Sequence, residues 1–335
     1  MIKLFRFLNP YRAAITGVIV LTFLQTLSEL YLPTLMSNIV DIGIVGGNTR
    51  YIMNTGGYML LVAAGGAVCA IVGGFWAARI AMGFGQILRG RIFAHVESFS
   101  LPEFDRIGTA SLITRTTNDI TQIQTVTFML LRLFMIAPLM CIGGIIIAVT
   151  KEPGLSWIIL VTLPVLAITI WLIAGKSVPI FQVIQVKLDK LNRVLREGLT
   201  GIRVIRAFNR IDFEKERFHD ANEDLTSTTI RVNKIMAALM PVMMLIMNFT
   251  TIAIIWFGGL RIDRGNMQVG NLMAFLQYVM QILFSLLMFS MIFVLLPRAS
   301  ASAKRVNEVL AITPGIKNPT QPKGTGPQKG FLEFR

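Results

Sequence analysis

Histidine and cysteine are nearly absent, with two of each in 335 residues. His95 and His219 stand far apart and alone, so no metal-ligand spacing exists and no metal site is expected. Neither a Ser/His/Asp nor a Cys/His arrangement can be assembled, and no catalytic residue is expected in this chain. Cys69 and Cys141 both fall inside long apolar runs, where they read as small buried residues rather than a disulfide. Charge is scarce as well: only 15% of residues are Asp, Glu, Lys or Arg, and the acidic share is 18 residues against 32 basic ones. The nearest approach to a phosphate loop is Gly175-Lys176-Ser177, but the pattern needs a second glycine five residues earlier, where Ile170 stands. The stretch also follows an apolar run rather than a strand, which excludes a phosphate loop here.

What is abundant is apolar surface. Hydrophobic residues make up 54% of the chain and the mean hydropathy is +0.64, more than a soluble domain of this size can hide. Six apolar runs, at roughly 13–36, 56–80, 128–149, 154–174, 235–257 and 271–296, are each long enough to cross a ~30 Å hydrocarbon core at ~1.5 Å per residue. The expected class is an all-α membrane protein with six transmembrane helices. The first run is too long for the apolar part of a signal peptide and no small-residue cleavage site follows it, so it is expected to remain as an anchor.

The net charge of +14 then reports topology and not nucleic acid, which is not expected as a partner. With the N-terminus placed in the cytoplasm, 27 of the 32 Lys and Arg residues fall on that side, and only Arg50, Lys151, Arg261 and Arg264 fall outside. That bias is the positive-inside rule, and it places both termini in the cytoplasm. Arg132 lies in a span, close enough to the inner end to snorkel.

Residues 1–12 alternate Ile2, Leu4, Phe5, Phe7 and Leu8 with Lys3 and Arg6, which suits an interfacial elbow helix that Asn9-Pro10 turns into span one; a frayed terminus is the bland alternative. The outer connections are short. The inner ones, 81–127 and 175–234, are long yet keep helical periodicity, as in Leu188, Leu191, Leu195, Leu199, Ile202 and Ile205. Spans two to five are therefore expected to continue as helices into the cytoplasm, each inner loop forming a hairpin with a short tip. A ladder of Gly66, Ala70, Gly74 and Ala78, with Gly73, Ala77, Ala81 and Gly85 beside it, suits close helix packing in span two. Residues 13–312 form the membrane domain on this reading, 313–329 a Pro/Gly-rich linker, and 330–335 (GFLEFR) the first strand of a further domain.

Two tips interrupt the apolar periodicity with charged and aromatic residues, one over Glu103, Phe104, Asp105, Arg106, Ile107 and Gly108, the other over Asn209, Arg210, Ile211, Asp212, Phe213, Glu214, Lys215 and Glu216. A solvated turn explains the charges. Phe104, Ile107, Ile211 and Phe213 would then be apolar groups exposed at an extremity, which favours a docking contact. Within the spans, Gln25, Glu29, Asn248, Gln277 and Gln281 are polar and are expected to face the bundle interior. With Met244 and Phe284 they are candidates for a promiscuous cavity; Met in such positions equally fills gaps in any bundle. Asp41, with Glu29 closer to the middle of span one, is a candidate outer-gate carboxylate, against a hydrated helix end as the plain reading.

Six segments in order carry a family resemblance: VDIGI (40–44), SLITRTTNDITQIQ (111–124), LLRLFMIAPLMCIGG (130–144), REGLTGIRVIRAFNR (196–210), QYVMQILFSLLM (277–288) and RASASAKRVNEVL (298–310). With them the chain resembles the transmembrane half of an ATP-binding cassette (ABC) exporter, within the bacterial multidrug half-transporters that pair as heterodimers. The resemblance implies a membrane-spanning subunit of an ATP-driven exporter of drugs or lipid-like amphipathic compounds in the bacterial cell membrane. Its partners would be a second half-transporter subunit, nucleotide-binding domains, membrane lipid and the transported compound. ATP and Mg2+ would be bound by a nucleotide-binding domain beyond these residues and not by this chain. The tips at 103–108 and 209–216 would be coupling helices, the second reaching the partner subunit's ATPase. The alternative class, a secondary transporter or channel with a soluble regulatory partner, predicts internal repeat symmetry that the sequence does not display.

Overall fold

The computed structural model describes residues 2–315, with side chains for all of these but residues 2 and 290–294. The linker beyond residue 315 and the expected strand at 330–335 lie outside the described residues. Every regular element among the described residues is helical. A short helix α1 (Ile2–Phe5) and a 3₁₀ turn (Arg6–Tyr11) lead into α2 (Arg12–Asn38), and a π turn (Ile39–Ile44) continues it to the first outer connection. Then come α3 (Thr49–Glu97), α4 (Leu101–Ile107), α5 (Thr109–Thr114) and α6 (Ile120–Lys151). They are followed by α7 (Ser156–Thr200), α8 (Ile202–Ala207), α9 (Ile211–Ala237), α10 (Leu239–Asp263) and α11 (Val269–Ala311).

Among the described residues six helical stretches are long and apolar enough to cross a membrane; five contain one of the runs read from sequence, and the sixth, Val269–Phe289, covers most of the run at 271–296. Several far exceed that need. The 49 residues of α3 extend about 73 Å at ~1.5 Å per residue, where ~20 residues suffice for a bilayer. The expected continuation of the spans as long stalks is present in α3, α7 and the α9–α10 pair. The break between α9 and α10 at Ala238 has a local cause: Pro241 has no N–H to give the carbonyl of Ala237, so the i to i−4 ladder is interrupted there. Pro33, Pro138, Pro164, Pro179 and Pro297 lie within helices that continue through them. Neighbouring helices and local 3₁₀ or π adjustments can re-satisfy the freed carbonyls.

Packing divides the chain into two units. The first comprises Met1–Thr26, Gly65–Ala137 and Met291–Arg335. Its core gathers Leu4, Phe84, Leu88, Ile92, Leu112, Ile120, Ile123, Ala303, Val306 and Val309, so the N-terminal segment, the far end of α3, the start of α6 and the end of α11 pack together. A second cluster of Val18, Ala77 and Ile80 joins α2 to α3. Of the small-residue ladder, Gly85 admits a neighbour closely, since a Cβ there would meet the Gln124 side chain at 2.1 Å; Gly83, outside the ladder, does the same for Tyr11, whose hydroxyl a Cβ would meet at 2.2 Å. These glycines are what admits Tyr11 and Gln124 to the surface of α3.

The second unit comprises Leu27–Ala64 and Pro138–Ser290. Gly143 and Gly144 let α6 approach two neighbours, since added Cβ atoms would lie 2.6 Å from Leu30 and 2.8 Å from Ile282. Phe275, Tyr278, Ile282 and Leu283 bury one face of α11, and the Tyr278 hydroxyl pairs with Thr34 at 2.6 Å. Further along, α7 lies against α9 and is tied to it by Lys187, whose Nζ donates to Asp224 at 2.6 Å and Thr228 at 2.7 Å.

Candidate functional site

The first tip belongs to the first unit. Ser100 starts α4 and Pro102 sits in its first turn, where a missing N–H costs nothing. The Glu103 carboxylate reaches back to accept from the Ser100 N–H at 2.8 Å and from the Ser100 hydroxyl. This is a capping box, and the Ser-x-x-Glu pattern at 100–103 signals it in the sequence. The Ser100 bonds hold the Glu103 carboxyl below the usual carboxylate range. Gly108 then closes the helix at φ +81°, a conformation that a side chain would strain.

Phe104 and Ile107 were expected to be exposed. They are instead partly buried against the core of the unit, because residues three apart share one face of α4. Leu101, 72% exposed, is the large apolar group that this tip presents. Asp105 and Arg106 are also exposed, and Gly108 ends the helix.

A polar clamp that the sequence reading missed lies beside this tip. Arg115–Asp119 form a π turn between α5 and α6, and the Asp119 side chain is fully buried. Its carboxylate accepts from the Ser302 hydroxyl at 2.8 Å, from Arg305 Nε at 2.7 Å and from Arg305 Nη2. The bonds that Arg305 gives to Asp119 push its guanidinium further above its already high range. Arg115 adds a bond to the Arg305 carbonyl at 3.0 Å and an ion pair with Glu308 at 3.4 Å. The last turns of α11 are thereby fastened to the start of α6. Beyond them His95 Nε2 donates to the Ile312 carbonyl at 2.9 Å and the Gly315 N–H donates to Glu103 at 3.2 Å. The segment leaving α11 thus runs against α4.

The second tip belongs to the second unit and differs from the expected form. The separate short helix is α8 (Ile202–Ala207), not the stretch 209–216. Asn209, at φ +50°, and Arg210 make the turn, while Ile211 to Glu216 are the first turns of the long helix α9. Asn tolerates that left-handed conformation better than other side chains do. Phe208 (74% exposed) and Phe213 (57% exposed) stand outward with Ile211, and Asp212 pairs with Lys215 at 3.2 Å. Arg217 bridges Glu197 and Glu214, joining α7 to α9. Between the helices runs an apolar groove of about 300 Å3, lined by Val194, Leu199, Ile202, Ile205, Ile211 and Phe218.

Whether this chain itself fits ATP can be judged from its backbone. Gly175, Lys176 and Ser177 lie in the interior of α7, where backbone N–H groups are spent on the helix and cannot cradle phosphate. No group of three His, Cys, Asp or Glu side chains capable of holding a metal occurs among the described residues. Gly175, Lys176 and Ser177 therefore offer no phosphate cradle.

The intramembrane polar candidates sort by unit. In the first, Gln25 is buried and accepts from Arg132 Nη1 at 3.2 Å; the same nitrogen donates to the Ala70 carbonyl at 3.2 Å. Arg132 therefore does not snorkel. Its guanidinium turns into the bundle at the middle of the first two apolar runs and lies along Gly73 and Gly74 of α3, at ordinary contact distances from where their Cβ atoms would be.

In the second unit Gln281 Nε2 donates to the Glu29 carbonyl at 3.4 Å, so these two candidates meet. Gln277 and Phe284 share an exposed face of α11, and Met244 and Asn248 one of α10. Asp41 caps α11: its carboxylate accepts from the Gly270 N–H at 2.6 Å and from Ser37 at 3.2 Å, while Ser37 also donates to Asn271 at 2.9 Å. An acid on a helix N-terminus is stabilising by itself.

Residues 15–286 match the family described as the ABC transporter transmembrane region. An uncharacterized ABC transporter ATP-binding protein of Mycobacterium tuberculosis is 42% identical over 316 residues, covering 94% of this chain and 54% of that protein. A second, from Bacillus subtilis, is 34% identical over 311 residues, 92% of this chain and 54% of the relative. An ATP-dependent lipid A-core flippase of Desulfotalea psychrophila is 30% identical over 254 residues, 73% of this chain and 43% of the relative. The chain spans about half the length of these curated relatives. With six long apolar helices among the described residues and a family match that runs from residue 15 in the first to residue 286 in the sixth, this chain belongs to the ABC transporter transmembrane region family.

Proposed function

We propose that the chain is the membrane-spanning part of an ATP-driven exporter of amphipathic compounds in the bacterial plasma membrane, with both termini cytoplasmic. ATP and Mg2+ act in nucleotide-binding domains that dock on the two helix tips. The observation that carries this reading is the stalks: α3 and α7 outrun the membrane by more than half their length and end in tips that expose Leu101, Phe208 and Phe213. A secondary transporter has no use for such levers. Alternating access needs a bundle with two arrangements, and stalks attached to an ATP-driven pair of domains can bias one against the other.

The substrate class is supported by the helices themselves. Asn248 and Gln277 are exposed on α10 and α11, where facing lipid would be costly; lining a water-accessible cavity with Met244 and Phe284 satisfies them. The lipid that gives the flippase relative its name is also amphipathic. A second half-transporter completes the cavity, and a non-identical partner is the reading that the resemblance favours.

The test is transport by the full-length protein with its partner in inside-out vesicles. A fluorescent amphiphile is expected to accumulate with ATP and to stop with a non-hydrolysable analogue. Accumulation driven by a proton gradient without ATP would overturn the proposal.

A further inference from the structure

Where the N-terminal segment meets α3, two cations have no neutralising partner among the described residues. Arg6 lies 4.8 Å and Arg91 4.7 Å from the centroid of the same Phe7 ring, one contributed by the elbow and one by α3. The two guanidinium carbons are therefore no more than 9.5 Å apart. Other arginines nearby are occupied: Arg12 donates to Asn9 at 3.2 Å and Arg89 to Gln124 at 3.1 Å. Neither Arg6 nor Arg91 has a hydrogen bond or an ion pair among the described residues, and both are exposed, as is Lys3 on the same elbow.

We infer that Arg6 and Arg91, set about Phe7, form a site for the phosphate headgroup of an anionic membrane lipid. Phe7 attracts each guanidinium through its ring face, yet two like charges held at this separation repel. An anion relieves that repulsion. One phosphate accepting charged hydrogen bonds of about 2.8 Å from each side bridges such a gap.

The location selects a lipid over a free ion. The elbow runs directly into the apolar run that starts at residue 13, and its Leu4 is buried against Phe84, Leu88 and Ile92, which follow the apolar run of α3 by 4 to 12 residues. This is where apolar surface gives way to charge, the depth of headgroups. Phe5, Phe7 and Leu8 are only partly buried there and offer acyl chains a surface. The site does not depend on what the protein transports.

The experiment uses the full-length transporter, delipidated in detergent and titrated with phosphatidylglycerol or phosphatidylcholine of identical chains, bound lipid being counted by native mass spectrometry. The wild type is expected to prefer phosphatidylglycerol about tenfold at its tightest site, and the Arg6→Gln/Arg91→Gln pair to lose that preference. Arg264→Gln, the control for a charge removed elsewhere, is expected to keep it. A Phe7→Trp variant reports from the site itself, with fluorescence quenched more by brominated phosphatidylglycerol than by brominated phosphatidylcholine. Equal quenching by the two lipids, or an unchanged preference in the double variant, overturns the inference. Full displacement of the lipid by millimolar inorganic phosphate overturns its assignment to a headgroup.

Discussion

Replacing Asp119 by Ala isolates the clamp that fastens α11 to the start of α6. The Asp119 side chain is wholly buried and takes two bonds from Arg305 and one from Ser302, whereas the Arg305 side chain is 46% exposed. Breaking a buried ion pair costs about 3–5 kcal/mol, chiefly because the remaining charge is stranded. Here the stranded group is the half-exposed arginine, which regains water, so the low end applies: about 3 kcal/mol for Asp119→Ala. Arg305→Ala strands the buried carboxylate and falls at the upper end, about 4–5 kcal/mol. At ~2–4 °C per kcal/mol, thermal unfolding of the purified full-length protein should shift down by roughly 6–12 °C for Asp119→Ala. The double variant should cost little more than Arg305→Ala alone, since the second removal eliminates the stranded charge. Additive effects within about 0.5 kcal/mol would mean the two side chains do not act on each other, and the clamp would be refuted.

The other expectations concern the tips and the outer ends. Glu103→Gln should speed amide hydrogen exchange over residues 101–108, because the cap and the Gly315 bond both lose their charged acceptor. Its carboxyl is lowered in the folded state by Ser100, so the contribution is present above the ordinary value of 4.5 and is lost as pH falls through the lower folded value. Acid should therefore reproduce the variant's exchange; protection unchanged by either would count against the capping box. Asp41→Asn should cost about 1 kcal/mol as a weakened cap on α11, read as a thermal shift, and an unchanged melting temperature would return Asp41 to the gate reading. Single cysteines at Asn48 and Asn266 should react with an impermeant thiol reagent added to cells, and one at Thr109 should not; labelling at Thr109 would invert the proposed topology.

The membrane class and the six spans were legible because a bilayer imposes one demand, about 20 apolar residues, that composition alone can meet. The stalks were legible too, since Leu191, Leu195, Leu199 and Ile202 keep a helical period in water as well as in lipid. What escaped the sequence were pairings between distant segments. Asp119 reads as one polar residue in a Thr-rich turn, and its partners Ser302 and Arg305 lie more than 180 residues away. Arg132 reads as a charge that should seek the nearest water; its actual acceptors, Gln25 on α2 and the Ala70 carbonyl on α3, are visible only once those helices pack together. The inward turn of Phe104 and Ile107 was in principle readable from their spacing in a capped helix. The position of α8 was not, because Gly201 and Asn209 set its ends through backbone angles that neighbouring residues do not dictate.

The proposal that the helix tips transmit ATP-driven motion is tested most directly at Phe213, which is 57% exposed at the start of α9. If the tip docks a nucleotide-binding domain, Phe213 is an apolar anchor, and truncation to Ala should remove about 2–4 kcal/mol from that contact. In the complete transporter, ATP hydrolysis should then persist without stimulation by the transported amphiphile, and transport should fall, while the melting temperature of the membrane helices stays put. Transport and substrate-stimulated hydrolysis at wild-type rates in Phe213→Ala would contradict docking at this tip.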